Sequence, residues 1–182
     1  MKSLSSQRLQ VLHGVCQAET RRVLAWRLHQ AATLLEMRRD GLAGYFPDSS
    51  LLGPSLRDLQ AEVNELGHEH LDLRVLKPLE LCARSRELGN DSAHLDLTIA
   101  ACLFRSGAVQ EGRDMYVQAL LRATCRAMRA RCLTSIAAIH FVEGDLLAAA
   151  SFSRAAMTED SGLQLVHSNA QEIEAILQET GY

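Results

Sequence analysis

The sequence predicts an all-α protein of antiparallel helix hairpins repeated in tandem, with a long helix before them and a capping helix after. Ala and Leu are plentiful, aromatic residues make up only 4%, and proline is limited to three residues in 182. Ala and Leu lose little on entering a helix, and so few prolines leave long helices uninterrupted. A second observation is the stretch from Leu97 to Leu120, LTIAACLFRSGAVQEGRDMYVQAL. It reads as two helices joined by a tight turn at Ser106-Gly107, with small residues where the helices must approach closely. A third is a weaker version from Ser135 to Ala156, SIAAIHFVEGDLLAAASFSRAA. Gly107 to Gly144 and Ala119 to Ala156 are both separations of 37 residues, so the hairpin recurs at a fixed period.

The length allows one domain with a sizeable core, or a small domain with an appendage. A hydrophobic share of 47% argues against wholesale disorder. The net charge is −3 but unevenly spread. Residues 1–40 carry seven basic and three acidic side chains, a balance of +4, and residues 141–182 carry one basic and seven acidic, a balance of −6. Such polarity could steer an acidic partner to one end, or favour head-to-tail self-association, or simply mark two solvated faces. The five cysteines, at 16, 82, 102, 125 and 132, form no CxxC and sit mostly among apolar neighbours. They read as reduced, buried thiols of a cytoplasmic protein. The first residues lack the apolar core of a signal peptide, and no run of 18 apolar residues occurs, so no membrane partner is expected.

Taken in order, residues 4–40 read as one long helix, or two with a break at Gly14. Leu24, Leu28, Ala31 and Leu35 fall on one stripe, and Leu9, Leu12 and Cys16 begin a similar one earlier. Arg21, Arg22, Arg38 and Arg39 lie opposite. This helix could fold back as a hairpin, pack along the repeats, or pair with a second chain. Gly41 to Ser55, with three glycines and two prolines, is the clearest break and reads as a connecting loop. The expected organisation is therefore an N-terminal helix or hairpin over 1–42, a loop over 43–55 and a repeat domain over 56–182. Pro54 is placed to open the next helix, with Ser55 and Asp58 near its first turn. Leu56, Leu59, Val63 and Leu66 make that helix amphipathic, and Gly67 closes it. A helix from Leu71 to Leu88 follows, kinked at Pro78 or restarting there. Asn90 or Asp91 can cap the next. After the two hairpins comes a last helix, about Gly162 to Thr180. Ser161 and Gln164 have capping-box spacing, and Leu163, Val166, Ala170, Ile173 and Leu177 form the buried stripe. Repeat arrays need such a terminal helix to cover the last apolar face.

The hairpin from His94 to Leu120 resembles a tetratricopeptide repeat. Ala100, Gly107, Tyr116 and Ala119 stand at that family's small, turn-glycine, aromatic and Ala positions. In the second hairpin Ala137, Gly144, Ala149 and Ala156 do so. Residues 55–67 and 70–88 could form a degenerate first repeat, with Ala83 in the role of Ala119. There are departures: Asp96 and Leu133 stand where the family has Trp, Gly112 replaces a small Ala, Ser153 replaces the second aromatic, and no Pro ends either repeat. The resemblance implies a tetratricopeptide-like α-α superhelix whose first helices line a concave groove for a peptide or helix of another protein. It makes His94, Thr98, Ala101, Phe104 and Arg105 groove candidates on the first hairpin, and Arg131, Thr134, Ser135, Ala138 and Phe141 on the second. For Phe104 and Phe141 the competing role is plain core packing. The Lys and Asn pattern with which some members clamp a terminal carboxylate is absent, so that activity is not implied.

Other constellations are sparse. His68-Glu69-His70, followed by Asp72, has metal-ligand residue types, but no further cluster completes a site, and a polar inter-helix turn accounts for it. Arg122, Arg126 and Arg129, with Arg131 close by, could form a basic stripe suited to phosphates. An inter-repeat turn near Thr124 would split that stripe, so nucleic acid is not the expected partner. No Gly-rich loop, nucleophile elbow or HExxH is present. The expected function is that of an adaptor without catalysis, metal or cofactor. The alternatives are a homo-oligomer, such as a dimer seamed by the N-terminal helix, and, less favoured, a metal-dependent helical enzyme around His68 and His70.

Overall fold

The structure, a computed structural model, describes residues 4–39, 55–73 and 75–180, with side chains from residue 14 to 36 in the first segment. Among the described residues there are eight helices and no strand. They form two compact units, meeting in sequence between Asp91 and Ser92. The loop expected over 43–55 lies outside the described residues except for Ser55.

In the first unit, α1 (Leu4–Arg39) packs on α2 (Leu56–Glu65) and α3 (Pro78–Glu87). Helix α1 runs through Gly14 without a break. Among its described side chains the buried ones are Leu24, Ala25, Leu28, Ala31 and Ala32, with His29 and Glu36. Leu35, expected in this stripe, is half-buried. Leu9 and Leu12 lie outside the described side chains, and Cys16 beside them is exposed. A buried polar link joins α3 to α1: the Ser85 hydroxyl donates to the Ala25 carbonyl at 2.6 Å and accepts from Asn90 Nδ2 at 2.9 Å.

Helix α2 begins at Leu56, the boundary expected from the sequence, two residues after Pro54. Ser55 is its N-cap and Asp58 completes a capping box, the two side chains answering each other's backbone N–H groups. The helix expected from Leu71 is not formed there. Residues 75–77 hold no helix, and α3 restarts at Pro78, because proline disfavours helical backbone at Lys77. The segment before it is held by Gln60, whose Nε2 donates to the Leu71 carbonyl and whose Oε1 accepts from the Leu73 N–H, both at 2.8 Å. Ala83, given the place of Ala119 in a degenerate repeat, is exposed; Leu81, Cys82 and Ser85 turn inward instead.

The second unit contains α4 (Ala93–Arg105), α5 (Val109–Arg122), α6 (Arg126–Val142), α7 (Leu146–Glu159) and α8 (Gln164–Thr180). Ser92, not Asn90 or Asp91, caps α4, accepting from the Leu95 N–H at 3.2 Å. Helices α4 and α5 pair as one hairpin and α6 and α7 as the next; α6 packs on α5, and α8 packs on α7 and α6. The two hairpin turns share one geometry. Gly107 N–H donates to Phe104 O at 3.1 Å and Ala108 N–H to Leu103 O at 3.0 Å; Gly144 N–H donates to Phe141 O at 3.0 Å and Asp145 N–H to His140 O at 2.9 Å. This is the Schellman closure, and it holds Gly107 at φ 91° and Gly144 at φ 82°, where a side chain would be strained.

Within the first hairpin the closest approach is at Gly112. A Cβ there would stand 2.9 Å from the Phe104 backbone nitrogen and 3.2 Å from the Ala100 oxygen. The core is a run of small clusters. Ala100, Tyr116, Ile136 and Ile139 fill the space between α4, α5 and α6. Ala137, Ala149, Ala150, Ile173 and Leu177 bring α8 onto the second hairpin. Phe152 touches both of these and a third cluster of Ala130, Leu133, Ala156 and Val166. Burial of Val166, Ile173 and Leu177 at about 1.5–3 kcal/mol each fixes α8 in place. Leu163 and Ala170 of the expected stripe are half-buried.

All five cysteines are free. Cys82, Cys102 and Cys132 are buried as expected, whereas Cys16 and Cys125 are exposed. No described helix is long and apolar enough to cross a membrane.

Candidate functional site

The groove candidates lie on α4 and α6, and their surroundings sort them into three groups. Phe104 and Ala101 pack into the cluster around Ala100 and Tyr116, and Phe141 packs against Ala137 and Ala149. The two phenylalanines are thus engaged in the core. Thr134 is only 3% exposed, so it offers no surface, and its hydroxyl oxygen has no hydrogen-bond partner.

A second group is committed to neighbours but reaches the surface. Ser135 of α6 is hydrogen-bonded to the Tyr116 phenol of α5. Burial pushes that phenol up to about 12, partly opposed by Ser135 and by the Arg105 guanidinium. Thr98 donates its hydroxyl to the His94 carbonyl one turn back, at 3.1 Å.

The third group is exposed. His94, in the first turn of α4, and Arg131, in the second turn of α6, face solvent. They are close enough to interact: partial burial and then the Arg131 guanidinium hold the His94 imidazole below its ordinary 6.5. Arg131 has no carboxylate partner among the described residues. Ala138 is half-buried between these charges and the exposed Val142, so the α6 face combines one cation with small and apolar groups.

The basic stripe at the inter-hairpin junction is spoken for. Arg122 binds the buried Asp96 at 2.6 Å, Arg126 donates to the Thr158 carbonyl at 2.7 Å, and Arg129 binds Glu159 at 2.8 Å. Arg122 and Glu159 are 37 residues apart, the same position in the two hairpins with opposite charges. Each closes the open end of its own hairpin against the helix that begins it. Asp96, where the resemblance leads one to expect Trp, is buried in the ion pair with Arg122.

Sequence reasoning missed two features of this unit. One is the link at the α6–α7 turn. His140 stacks on Phe152 with centroids 5.2 Å apart and planes 8° apart, and its Nδ1 lies 3.8 Å from Asp145 Oδ2. Arg113 of α5 pairs with Glu143 at the same turn. The other is the outward stripe of α8, Ser168, Glu172, Ala175 and Glu179, all exposed. Treating α8 only as a cap hid it. Adding 37 to Arg131, Ser135, Ala138 and Val142 gives those four residues, so the repeat period carried the signal.

His68 and His70 sit with ring centroids 5.7 Å apart in the loop after α2. Among the described residues no group of three His, Cys, Asp or Glu side chains is arranged to hold a metal ion. In the first unit Trp26 is 45% exposed, set edge-on to His29 and flanked along α1 by Arg22 and Arg27. Arg27 is itself paired with Glu62 of α2.

Comparison of the chain with protein families, with curated proteins and with solved structures finds no match in any of the three.

Proposed function

We propose that residues 92–182 form a tetratricopeptide-like superhelix that binds a peptide or helix of another protein on the face made by its first helices. One observation carries this: the same hairpin is built twice at a 37-residue register, down to the turn hydrogen bonds. In α4, α6 and α8 the outward stripes read His94-Thr98-Ala101-Arg105, Arg131-Ser135-Ala138-Val142 and Ser168-Glu172-Ala175-Glu179. Alanine recurs at one position in all three. A small residue there leaves room for a backbone lying across the helices. The buried Ile136 and Ile173, also 37 apart, support α8 as the first helix of a third, unfinished repeat.

The role is binding, without catalysis. Five free thiols, three of them buried, support a reducing, cytoplasmic setting. A photo-crosslinking residue placed at Ala138, and separately at Val117 on the outer helix α5, tests the face. In cells of the native host Ala138 should capture a partner chain and Val117 should not. Capture from Val117 alone, or equally from both, would overturn the assignment.

A second function is favoured by one specific observation on α1. Its residues from Gly14 to Glu19 are all exposed, Val15 at 60%, and among the described side chains of α1 the first buried one is Leu24. A second copy of the chain pairing along this stretch would cover it. Light scattering should then give a dimer mass that Val15→Asp reduces to a monomer; a monomeric parent chain rejects the pairing.

A further inference from the structure

We infer that the segment bound by this face is charge-segregated, acidic where it crosses α4 and α6 and basic where it crosses α8. The inference rests on the superhelix proposed above and adds the chemistry of its partner. Helix α6 contains no acidic residue, and the single acid of α4, Asp96, is buried against Arg122. What these two helices show to solvent is therefore cationic, with Arg131 lacking a carboxylate partner among the described residues. Helix α8 is the reverse. Its only basic side chain is His167, and Glu172 and Glu179 are exposed with no cationic partner among the described residues. At one repeat position the three helices carry Arg105, Val142 and Glu179, a sequence from cation through apolar to anion. The other ion pairs of the unit are formed within or between its helices. Unlike charges across an interface fix the register and direction of what binds, more than they add affinity. An extended segment would be read in one direction only.

The test is selection of a random 16-residue displayed peptide library on the full chain, with synthetic winners measured by fluorescence polarisation and mapped by hydrogen exchange. Expected winners protect α4, α6 and α8 and carry Asp or Glu in one half and Lys or Arg in the other. Arg131→Glu should weaken them about two- to fivefold at low salt, the range for one exposed pair, and a winner with its acidic half changed to Lys should recover. Glu172→Lys should act in the same way on the basic half. Winners that protect this face but are neutral, or keep their affinity in both variants, overturn the charge order and leave the binding face standing. Winners that protect other helices, or no winners at all, overturn the binding face and the inference with it.

Discussion

Substitution of Gly112 by Ala puts the packing of the first hairpin to a sharp test. On helix propensity alone the change should help, because alanine inside a helix is favoured over glycine by about 0.5–1 kcal/mol. The structure gives the opposite sign. The added Cβ would stand 2.9 Å from the Phe104 nitrogen and 3.2 Å from both the Phe104 Cα and the Ala100 oxygen. All three are backbone atoms of α4, so no side-chain rotation relieves them. Helix α4 must move several tenths of an ångström from α5, and the contacts of Ala100, Tyr116 and Ile136 loosen together. Overpacking of this kind costs about 1–3 kcal/mol. The propensity gain offsets part of it, leaving a net loss of up to about 2.5 kcal/mol, centred on about 1 kcal/mol or roughly 4–8 °C in Tm for a unit of this size. Gly14→Ala is the control: nothing lies within 4 Å of its Cβ, so only the propensity gain remains. Urea titrations followed by helical circular dichroism, on the parent and both variants, give the midpoints. A Gly112→Ala protein as stable as the parent would mean that α4 and α5 do not touch backbone to side chain at this point.

Three further outcomes are expected. Thr134→Val replaces a buried, unpartnered hydroxyl by a methyl of nearly the same shape, so chemical denaturation should show a gain of about 1 kcal/mol. Burial raises the Cys132 thiol to about 11, opposed in part by Arg129. Since the folded value lies above the unfolded 9.0, this contribution to stability is full below pH 9 and is lost as pH rises towards 11. Thiol titration at pH 8 should modify Cys16 and Cys125 at once and Cys82, Cys102 and Cys132 only on unfolding. Finally, NMR titration should find the His94 imidazole below 6.5, moving upward but not fully back in Arg131→Ala, because its burial remains. Protonation of His94 is thereby resisted in the folded state, so any stability it carries is present above 6.5 and falls with acid.

The helical elements of the second unit were legible because their signals are local. Gly107 and Gly144 mark turns that only a left-handed residue can make, and Val166, Ile173 and Leu177 share a face by spacing alone. Errors arose where a distant group decided the outcome. Leu71 to Lys77 has helical composition, yet Gln60 holds its start by two side-chain hydrogen bonds that no periodicity reveals. Ser85 looks like a surface residue of α3 until the Ala25 carbonyl, sixty residues away, is seen to accept from it. The arginine stripe at 122–129 could be counted in the sequence, but its engagement by Asp96, the Thr158 carbonyl and Glu159 required the fold.

Gly112 shows how a departure from a family pattern can itself be informative. Beside the alanine at the matching place in the second hairpin, Ala149, it looks like a weakening of the helix. The two hairpins differ in the residues opposite. In the first, the Phe104 backbone comes so close that only hydrogen fits. In the second, Ala149 is accommodated fully buried beside Ala137 and Ala150. At this point the first hairpin has no room to spare, and its first helix is held by backbone contact in addition to the packing of Leu97, Ala101 and Phe104. A helix held in this way cannot yield to a ligand without breaking that contact. Binding on the α4 face should then select a partner that fits the helix as it stands. The second hairpin, which lacks this contact, is where adjustment would fall. Hydrogen exchange of the free chain tests the difference: amides of α4 and α5 should exchange more slowly than those of α6 and α7, and the reverse order would refute the argument.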